Sequence, residues 1–174
     1  MGRTIAINRA PVLALWATVV AERLGYSADE ALSLGRAVTG LTAQSKGRHL
    51  GIYKPQPRTA ADRAARDKLE TVELLGRLVP VIRTEDGLRA TDKGKPGSPE
   101  SAQRYLETKF GADLAAVRSA MQHLAASVER EALAAQAFAL YEQFRPAIPS
   151  GVRGWGAKGE LDVDRIETLA RNKD

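Results

Sequence analysis

The 174-residue chain contains no cysteine and only two histidines. The absence of cysteine excludes disulfide frameworks, thiol nucleophiles and cysteine-ligated zinc sites. His49 and His123 fall on different predicted elements, and neither has a second histidine four residues away, so the sequence does not support a histidine-based metal site. We therefore expect no metal and no cofactor, and the lack of thiols fits a reducing cytoplasm.

Aromatic residues are also scarce, at 5% of the chain, whereas alanine is frequent in stretches such as EALAAQAFAL. Alanine loses little entropy on entering a helix, so this composition favours helices over strands. The length is that of one domain with a sizeable aliphatic core. We predict a mainly α fold: a single domain over residues 1–174, built as a bundle of six or seven helices with one β-hairpin between helices three and four.

No apolar run is long enough to span a bilayer, which takes about 20 residues. The longest, Ala10 to Ala21, follows Arg3 and Arg9 and resembles a signal peptide. However, its apolar pattern continues to Leu24 and stops at a glycine, as helices do. We interpret this stretch as a core helix starting at Asn8, and we expect no membrane partner.

Start and stop signals predict the next elements. Ser27 and Glu30 form a capping box at the start of helix two, which we expect to stop at Gly47. Helix three is predicted from Thr59 to Val79, with apolar positions spaced by three or four residues. The stretch PVIRTEDGLRAT then predicts a hairpin, whose turn contains Asp86 and Gly87.

The second half of the chain predicts further helices. Helix four is capped by Ser98 with Pro99 in its first turn, and it stops at Gly111. Helices five and six follow on apolar positions from Leu114 to Phe144. Residues 145–160 are rich in glycine and proline and are predicted to be irregular, before a short helix over 162–171.

Acidic residues are absent from Ala31 to Ala61, a stretch that we call the basic window. Its cations are Arg36, Lys46, Arg48, Lys54 and Arg58. They carry the whole net charge of +5, since the other 143 residues are neutral in sum. Mixed-sign surfaces are the rule in soluble proteins, so a one-sign stretch of this length indicates a polyanion-binding surface.

Two interpretations of the basic window remain open. Lys46 and Arg48 are near the predicted end of helix two, where cations stabilise the helix dipole. Lys54 and Arg58 lie in a proline-containing loop beside Tyr53, where no dipole explains them. We predict a nucleic-acid-binding patch of Lys46, Arg48, Lys54 and Arg58, with Tyr53 as a stacking face.

Familiar DNA-binding patterns match this region imperfectly. A helix-turn-helix with its turn at Gly40 would place Lys46 where an apolar residue normally packs, so one continuous helix is the simpler interpretation. A winged helix would use helix three as its reader. That segment balances its cations with acids and follows a long connection, which disfavours this fold.

A second group of candidates lies elsewhere in the chain. Lys93 and Lys95 follow the hairpin, and Arg153 and Lys158 flank Trp155 in the motif GWGAKG. This motif has the G-x-G-x-x-G spacing of dinucleotide-binding loops, but prolines precede it and only 15 residues follow it, which does not fit the strand–helix–strand context that such loops need. We keep these residues as secondary nucleic-acid contacts.

No catalytic signature is found. The nucleophile pattern G-x-S-x-G does not occur, and the DVD motif at Asp162 and Asp164 is typical of acids in the first turn of a helix. We assign no catalytic residue and favour a non-enzymatic role. The alternative to nucleic-acid binding is a protein-interaction or assembly module, acting as a homo-oligomer or an adaptor.

Three stretches resemble an uncharacterised family of small, mainly helical bacterial proteins. They are ALSLGRAVTGLTAQSKGRHLGIY, GKPGSPESAQRYLETKFG and EQFRPAIPSGVRGWGAKGELDVDRI. The resemblance covers most of the chain. It implies a bacterial, cytoplasmic setting but carries over no activity, cofactor or site residue.

Overall fold

The fold is known from a computed structural model that describes residues 4–49, 70–92, 95–146 and 158–171. For residues 41–49, 92, 95 and 158 it describes the backbone alone. Its helices are α1 (Arg9–Arg23), α2 (Ala28–His49), α3 (Pro99–Phe110), α4 (Leu114–Ala126), α5 (Arg130–Phe144) and α6 (Val163–Arg171). Its strands are β1 (Thr4–Asn8), β2 (Glu70–Leu74), β3 (Arg77–Thr84), β4 (Gly87–Asp92), β5 (Lys95–Pro96) and β6 (Lys158–Asp162).

The strands form two antiparallel sheets. β1 pairs with β6 along their full length, with Ile5 opposite Leu161. The second sheet has the order β2-β3-β4, and the two-residue β5 extends it at the end of β4. Val79, Val81 and Leu88 on this sheet are buried. β3 and β4 contact α2, so this sheet packs against the helical layer.

Helix α1 lies at the centre of the helical layer. Every residue from 10 to 21 is buried, and the helix contacts α2, α3, α4 and α5. Trp16 donates its indole N–H to the carbonyl of Ala137 on α5 at 2.8 Å and meets the Phe144 ring edge-on at 5.3 Å. The central position predicted from its apolar composition is confirmed.

Helix α2 approaches α1 closely at Gly35. A Cβ atom at this position would lie 2.8 Å from the Ala14 carbonyl oxygen and 2.9 Å from the Thr18 amide nitrogen. Both distances are shorter than a carbon atom tolerates, so the two backbones can meet only at glycine. This contact seats the middle of α2 against the core.

The fold prediction of a bundle of six or seven helices with one β-hairpin is wrong. The described part of the chain has five continuous helical segments, because α3 and α4 are joined without a break by a 3-10 turn at Gly111–Asp113. It also has two sheets instead of one hairpin. The architecture is therefore α+β.

The main error lies in helix three. Residues 70–79 form β2 and the first three residues of β3, joined by a two-residue turn in which Leu75 (φ 51°) and Gly76 (φ 75°) are both left-handed. Such a turn matches the twist of a hairpin. The spacing of Val72, Leu75 and Val79 looked helical because a buried leucine occupies the turn itself. The first part of the predicted helix, 59–69, lies outside the described residues.

The second error concerns the C-terminal segment. The end of the predicted irregular stretch, residues 158–160, belongs to β6 (Lys158–Asp162), which pairs with β1, a strand that was not predicted. Residues 147–157 lie outside the described residues. The short last helix is confirmed at Val163–Arg171, where the Asp162 carboxylate accepts a hydrogen bond from the Arg165 amide at 3.3 Å.

Several start signals are confirmed. Ser27 and Glu30 form the reciprocal capping box, with hydrogen bonds of 3.2 and 2.9 Å. Ser98 caps α3 by accepting from the Ser101 amide, and Pro99 is its first residue. The hairpin predicted near Asp86 joins β3 to β4, and Gly87 has φ of 116°. Helix α2 is continuous through Gly40, which excludes a helix-turn-helix break there.

Candidate functional site

An open cleft of about 360 Å³ lies where α2, the C-terminal part of β4 and the start of α3 meet. Its walls carry small apolar and hydroxyl side chains, one aromatic ring and one cation. They are Ser33, Arg36, Ala37, Ala90, Thr91, Gly97, Ser98, Ser101, Ala102 and Tyr105. We call it the Arg36 cleft, because Arg36 is the one charged side chain among these described lining residues.

One face of α2 supplies the wall nearest to the sheet. Glu30 and Ser33 are three residues apart, so they lie on the same side of the helix. Glu30 accepts a hydrogen bond from the Leu88 amide at 2.9 Å, and Ser33 accepts one from the Ala90 amide at 2.9 Å. The free edge of β4 is thereby satisfied by helix side chains, which is one way in which proteins protect an exposed strand.

Ser33 also closes the floor of the cleft. Its hydroxyl donates to the Gly97 carbonyl at 2.9 Å, and the Gly97 amide donates to the Ala90 carbonyl at 2.7 Å. The Ser33 hydroxyl and the backbone groups of Ala90 and Gly97 at this floor therefore already have hydrogen-bond partners. Ser33 is therefore a structural residue of the cleft and not a free ligand donor.

Arg36 continues the same face three residues later, and its environment differs. Its guanidinium carbon lies 4.2 Å from the centre of the Tyr105 ring, a cation–π distance. Arg36 is exposed, whereas Tyr105 is half-buried, and burial raises the pKa of the phenol. The ring is thus neutral at physiological pH and presents a stable aromatic face to the cation.

Several, but not all, of the other arginines of the described chain have oxygen partners. Arg83 and Arg118 each bind a carboxylate at 2.7 Å, and Arg89 lies 4.0 Å from Asp29. Arg9 and Arg23 donate to backbone carbonyls. Arg36 has no carboxylate within 4.0 Å among the residues whose side chains are described. Its charge is therefore available to a ligand.

Thr91 supplies an unused hydrogen-bonding group on the opposite wall. Its hydroxyl oxygen is shielded from solvent and has no hydrogen-bond partner in the described part of the chain. A buried unpaired hydroxyl destabilises the protein by about 1–3 kcal/mol. Because the oxygen is shielded, a ligand in the cleft would contact it only after the Thr91 side chain rotates.

The start of α3 forms another wall of the cleft, and its first turn carries Glu100. The Ser98 hydroxyl accepts from the Ser101 amide and donates to the Glu100 carboxylate at 3.0 Å. The pKa of Glu100 is lowered, first by its own backbone N–H and then by Ser98. The first turn of α3 therefore already holds a negative charge and does not attract an anion.

Most residues predicted as the binding site lie where the structure gives no side chain. Lys46 and Arg48 are on α2, Lys95 begins β5 and Lys158 begins β6, each with a described backbone only. The remaining candidates lie outside the described residues: Tyr53, Lys54, Arg58, Lys93, Arg153 and Trp155. Their grouping into a patch stays a prediction.

The sequence reasoning missed the cleft itself. Arg36 was counted in the basic window but was not predicted as a contact residue, and Tyr105 was not named as a candidate. Thr91 had no signal, because its importance comes from the lack of a partner in the folded chain. The usable signal was the spacing of Glu30, Ser33 and Arg36, which places them on one helix face.

Comparison with known protein families, with curated proteins and with solved structures finds no match to the chain. The resemblance to a family of small bacterial proteins therefore stays a prediction. Within the described ranges, no helix is long and apolar enough to cross a membrane, and no group of three or more acidic or histidine side chains is arranged to hold a metal ion. The basic window and the Arg36 cleft are the two features of the chain that suggest where a ligand would bind.

Proposed function

We propose that the protein binds nucleic acid through the basic window, with Lys46, Arg48, Lys54 and Arg58 as phosphate contacts and Tyr53 as a stacking face. The observation that carries this proposal is the state of Arg36. It is the one cation of the basic window whose side chain is described, and it is exposed without a carboxylate partner there. An exposed ion pair would add only about 0–1 kcal/mol to stability, so a cation without one is free to contact phosphate at little cost to the fold.

The continuity of α2 supports the same proposal. Arg36, Lys46 and Arg48 lie on one unbroken helix, and Gly40 does not interrupt it. A helix rises about 1.5 Å per residue, so Arg36 and Lys46 are about 15 Å apart along its axis. Along a duplex axis the phosphates of one strand are spaced by about 3.4 Å, so a few nucleotides of one strand could engage both cations. A cytoplasmic setting, suggested by the lack of cysteine, belongs to this proposal.

The test is the salt dependence of binding to labelled duplex and single-stranded DNA and RNA. Each phosphate contact contributes about −0.9 to the slope of log affinity against log salt on duplex DNA and about −0.7 on a single strand. Four contacts therefore predict slopes near −3.6 and −2.8. Replacing Lys46, Arg48, Lys54 and Arg58 together by alanine should remove most of the slope.

The matched control replaces four exposed cations outside the basic window, Arg104, Arg130, Arg165 and Arg171, by alanine. This control changes the net charge of the protein equally, so a general electrostatic effect would appear in both variants. Absence of binding by the wild-type protein at low salt would overturn the proposal. Equal losses in the two variants would overturn the assignment to the basic window.

The second candidate function is assembly of two copies of the chain, favoured by an apolar strip on the outer face of β3. Leu78 is 65% exposed and Ile82 is 36% exposed. β2 next to them is an edge strand of the described sheet. Unpaired strand edges beside apolar side chains can pair with an identical edge around a twofold axis.

Sedimentation equilibrium over a concentration series tests this candidate. The pair Leu78→Asp and Ile82→Asp should shift a dimer to monomer, because it places four carboxylates in the shared interface. Ala139→Asp with Ala135→Asp on the exposed side of α5 adds the same charge elsewhere and should leave the dimer intact. A wild-type protein that stays monomeric at all concentrations contradicts the candidate.

A further inference from the structure

We infer that the Arg36 cleft binds one unstacked base of a single-stranded nucleic acid, held between Arg36 with Tyr105 on one side and Thr91 on the other. The inference rests on the proposed function and specifies it. It assigns the basic window a preference for single strands over duplexes. It also adds three contact residues that the charge pattern alone does not show.

Arg36 and Tyr105 form a stacking surface at the wall of the cleft. Single-stranded nucleic acid is recognised by bases that stack on aromatic rings or on the flat guanidinium of arginine. Arg36 and Tyr105 provide both groups in contact at 4.2 Å, and Arg36 is exposed toward the cleft that it lines. A base can therefore extend this stack without displacing either side chain from the core.

The volume of the cleft also favours a single base as its ligand. Small-molecule sites have volumes of about 300–1,000 Å³, and the Arg36 cleft at about 360 Å³ lies near the lower limit. This volume suits one base with its sugar. A base within a duplex is stacked and paired, so it cannot enter unless it is first extruded, which costs a few kcal/mol.

The cleft also has a polar group that makes no hydrogen bond among the described residues. Ser33 and Ser98 already use their hydroxyls within the protein. Thr91 keeps a shielded hydroxyl oxygen without a partner among the described residues. Every base carries donors and acceptors on its edge, so a base in the cleft would satisfy this shielded atom once the Thr91 side chain rotates it toward the cleft, while the small side chains of Ala90 and Ala102 accept the apolar part of its ring.

The charges around the cleft set the direction of the strand. Glu100 is held at the first turn of α3 by Ser98, so this end of the cleft repels phosphate. Arg36 is at the other end, on the helix that leads to Lys46 and Arg48. The phosphates that flank the bound base should therefore follow α2 toward its C-terminal end.

The experiment compares the affinities for a labelled single strand of about 12 nucleotides and for the duplex of the same sequence, by fluorescence anisotropy. Tyr105→Leu keeps the apolar volume but removes the aromatic face, and it should weaken single-strand binding about fivefold or more. Tyr105→Phe keeps the ring and should bind as the wild type does. Duplex binding should be the same in all three proteins.

Two further variants keep the inference testable if Tyr105→Leu fails to fold. Arg36→Lys retains the charge but loses the flat guanidinium, so single-strand binding should weaken while the salt slope is unchanged. Thr91→Val is nearly isosteric and should weaken single-strand binding about threefold. Arg165→Lys on the exposed side of α6 is the matched control and should change nothing.

The outcomes separate the two proposals. If the wild-type protein binds both single strands and duplexes and none of the cleft variants alters their ratio, the inference is overturned and the proposed function stands. If the wild-type protein binds no nucleic acid at low salt, both are overturned. If single-strand binding falls in the Tyr105→Leu, Arg36→Lys and Thr91→Val variants alone, the inference is supported.

Discussion

The two ends of one face of α2 differ in what their polar side chains do. Glu30 and Ser33 are bonded to the backbone of β4, and each of their hydrogen bonds lies between 2.9 and 3.2 Å. Arg36, one turn further, contacts an aromatic ring and no acid among the described residues. Glu30 and Ser33 are committed to hydrogen bonds with backbone groups. Arg36 is available for binding because those backbone groups already have partners.

The largest expected effect comes from the point where α2 is seated on α1. Gly35→Ala should destabilise the fold by about 2–4 kcal/mol, because the new methyl group meets the Ala14 carbonyl and the Thr18 amide. Gly40→Ala on the same helix is the control, since nothing lies within 4 Å of a Cβ there. It should stabilise by about 0.5–1 kcal/mol. Urea unfolding of both variants measures the difference, and equal effects would contradict the close approach.

Ser33→Ala tests whether the hydrogen bonds of Ser33 stabilise the fold. The change removes the acceptor of the Ala90 amide and the donor to the Gly97 carbonyl, at a residue that is only 2% exposed. We expect a loss of about 2 kcal/mol in the free energy of unfolding. Ser101→Ala on the exposed side of the cleft should change stability by less than about 0.5 kcal/mol. A Ser33 variant as stable as the wild type would contradict this role.

Glu30→Gln tests the same end through pH. Hydrogen bonds from the Ser27 and Leu88 backbone amides lower the pKa of Glu30 from its ordinary value of 4.5. A lowered folded-state pKa adds stability that is complete above about pH 4.5 and is lost as the pH falls through the folded-state value. The variant should lose about 1–2 kcal/mol at pH 7, and its deficit should shrink below pH 4.5. Urea unfolding over a pH series measures this, and a constant deficit would refute it.

Arg36→Gln tests whether Arg36 contributes little to stability, and it should have the smallest effect of these substitutions on the free energy of unfolding. An exposed cation–π contact is worth about 0.5–1 kcal/mol, so the free energy of unfolding should fall by no more than that. Arg118→Gln is the matched control, because it breaks a half-buried 2.7 Å pair with Glu22 and should cost more. If Arg36→Gln is the more damaging of the two, Arg36 is a structural residue.

Much of the helical layer could be predicted from sequence, because its signals are local. The Ser27 capping box, the Ser98 cap and the Gly111 stop each depend on residues within one or two turns, and all three are found in the structure. The hairpin at Asp86 was predictable for the same reason. Such patterns act through backbone hydrogen bonds that neighbouring residues complete.

The sheets and the cleft could not be predicted, because distant contacts decide them. Leu75 has φ of 51°, which is unfavourable for leucine, and it is tolerated where the side chain is 3% exposed in the core. A propensity argument at this position favours helix. The cleft depends in the same way on Arg36 meeting Tyr105, which is 69 residues away and on another helix.

The pairing of β1 with β6 has a consequence for biosynthesis. Asn8 lies opposite Lys158, so the first described strand has to wait for about 150 more residues before it finds its partner. At about 5–20 residues per second this delay is about 8–30 s. During this time the central helix that follows β1 is translated long before α5, whose Ala137 carbonyl accepts the Trp16 indole N–H. Until α5 is translated, α1 therefore lacks one of the helices that cover it in the folded protein.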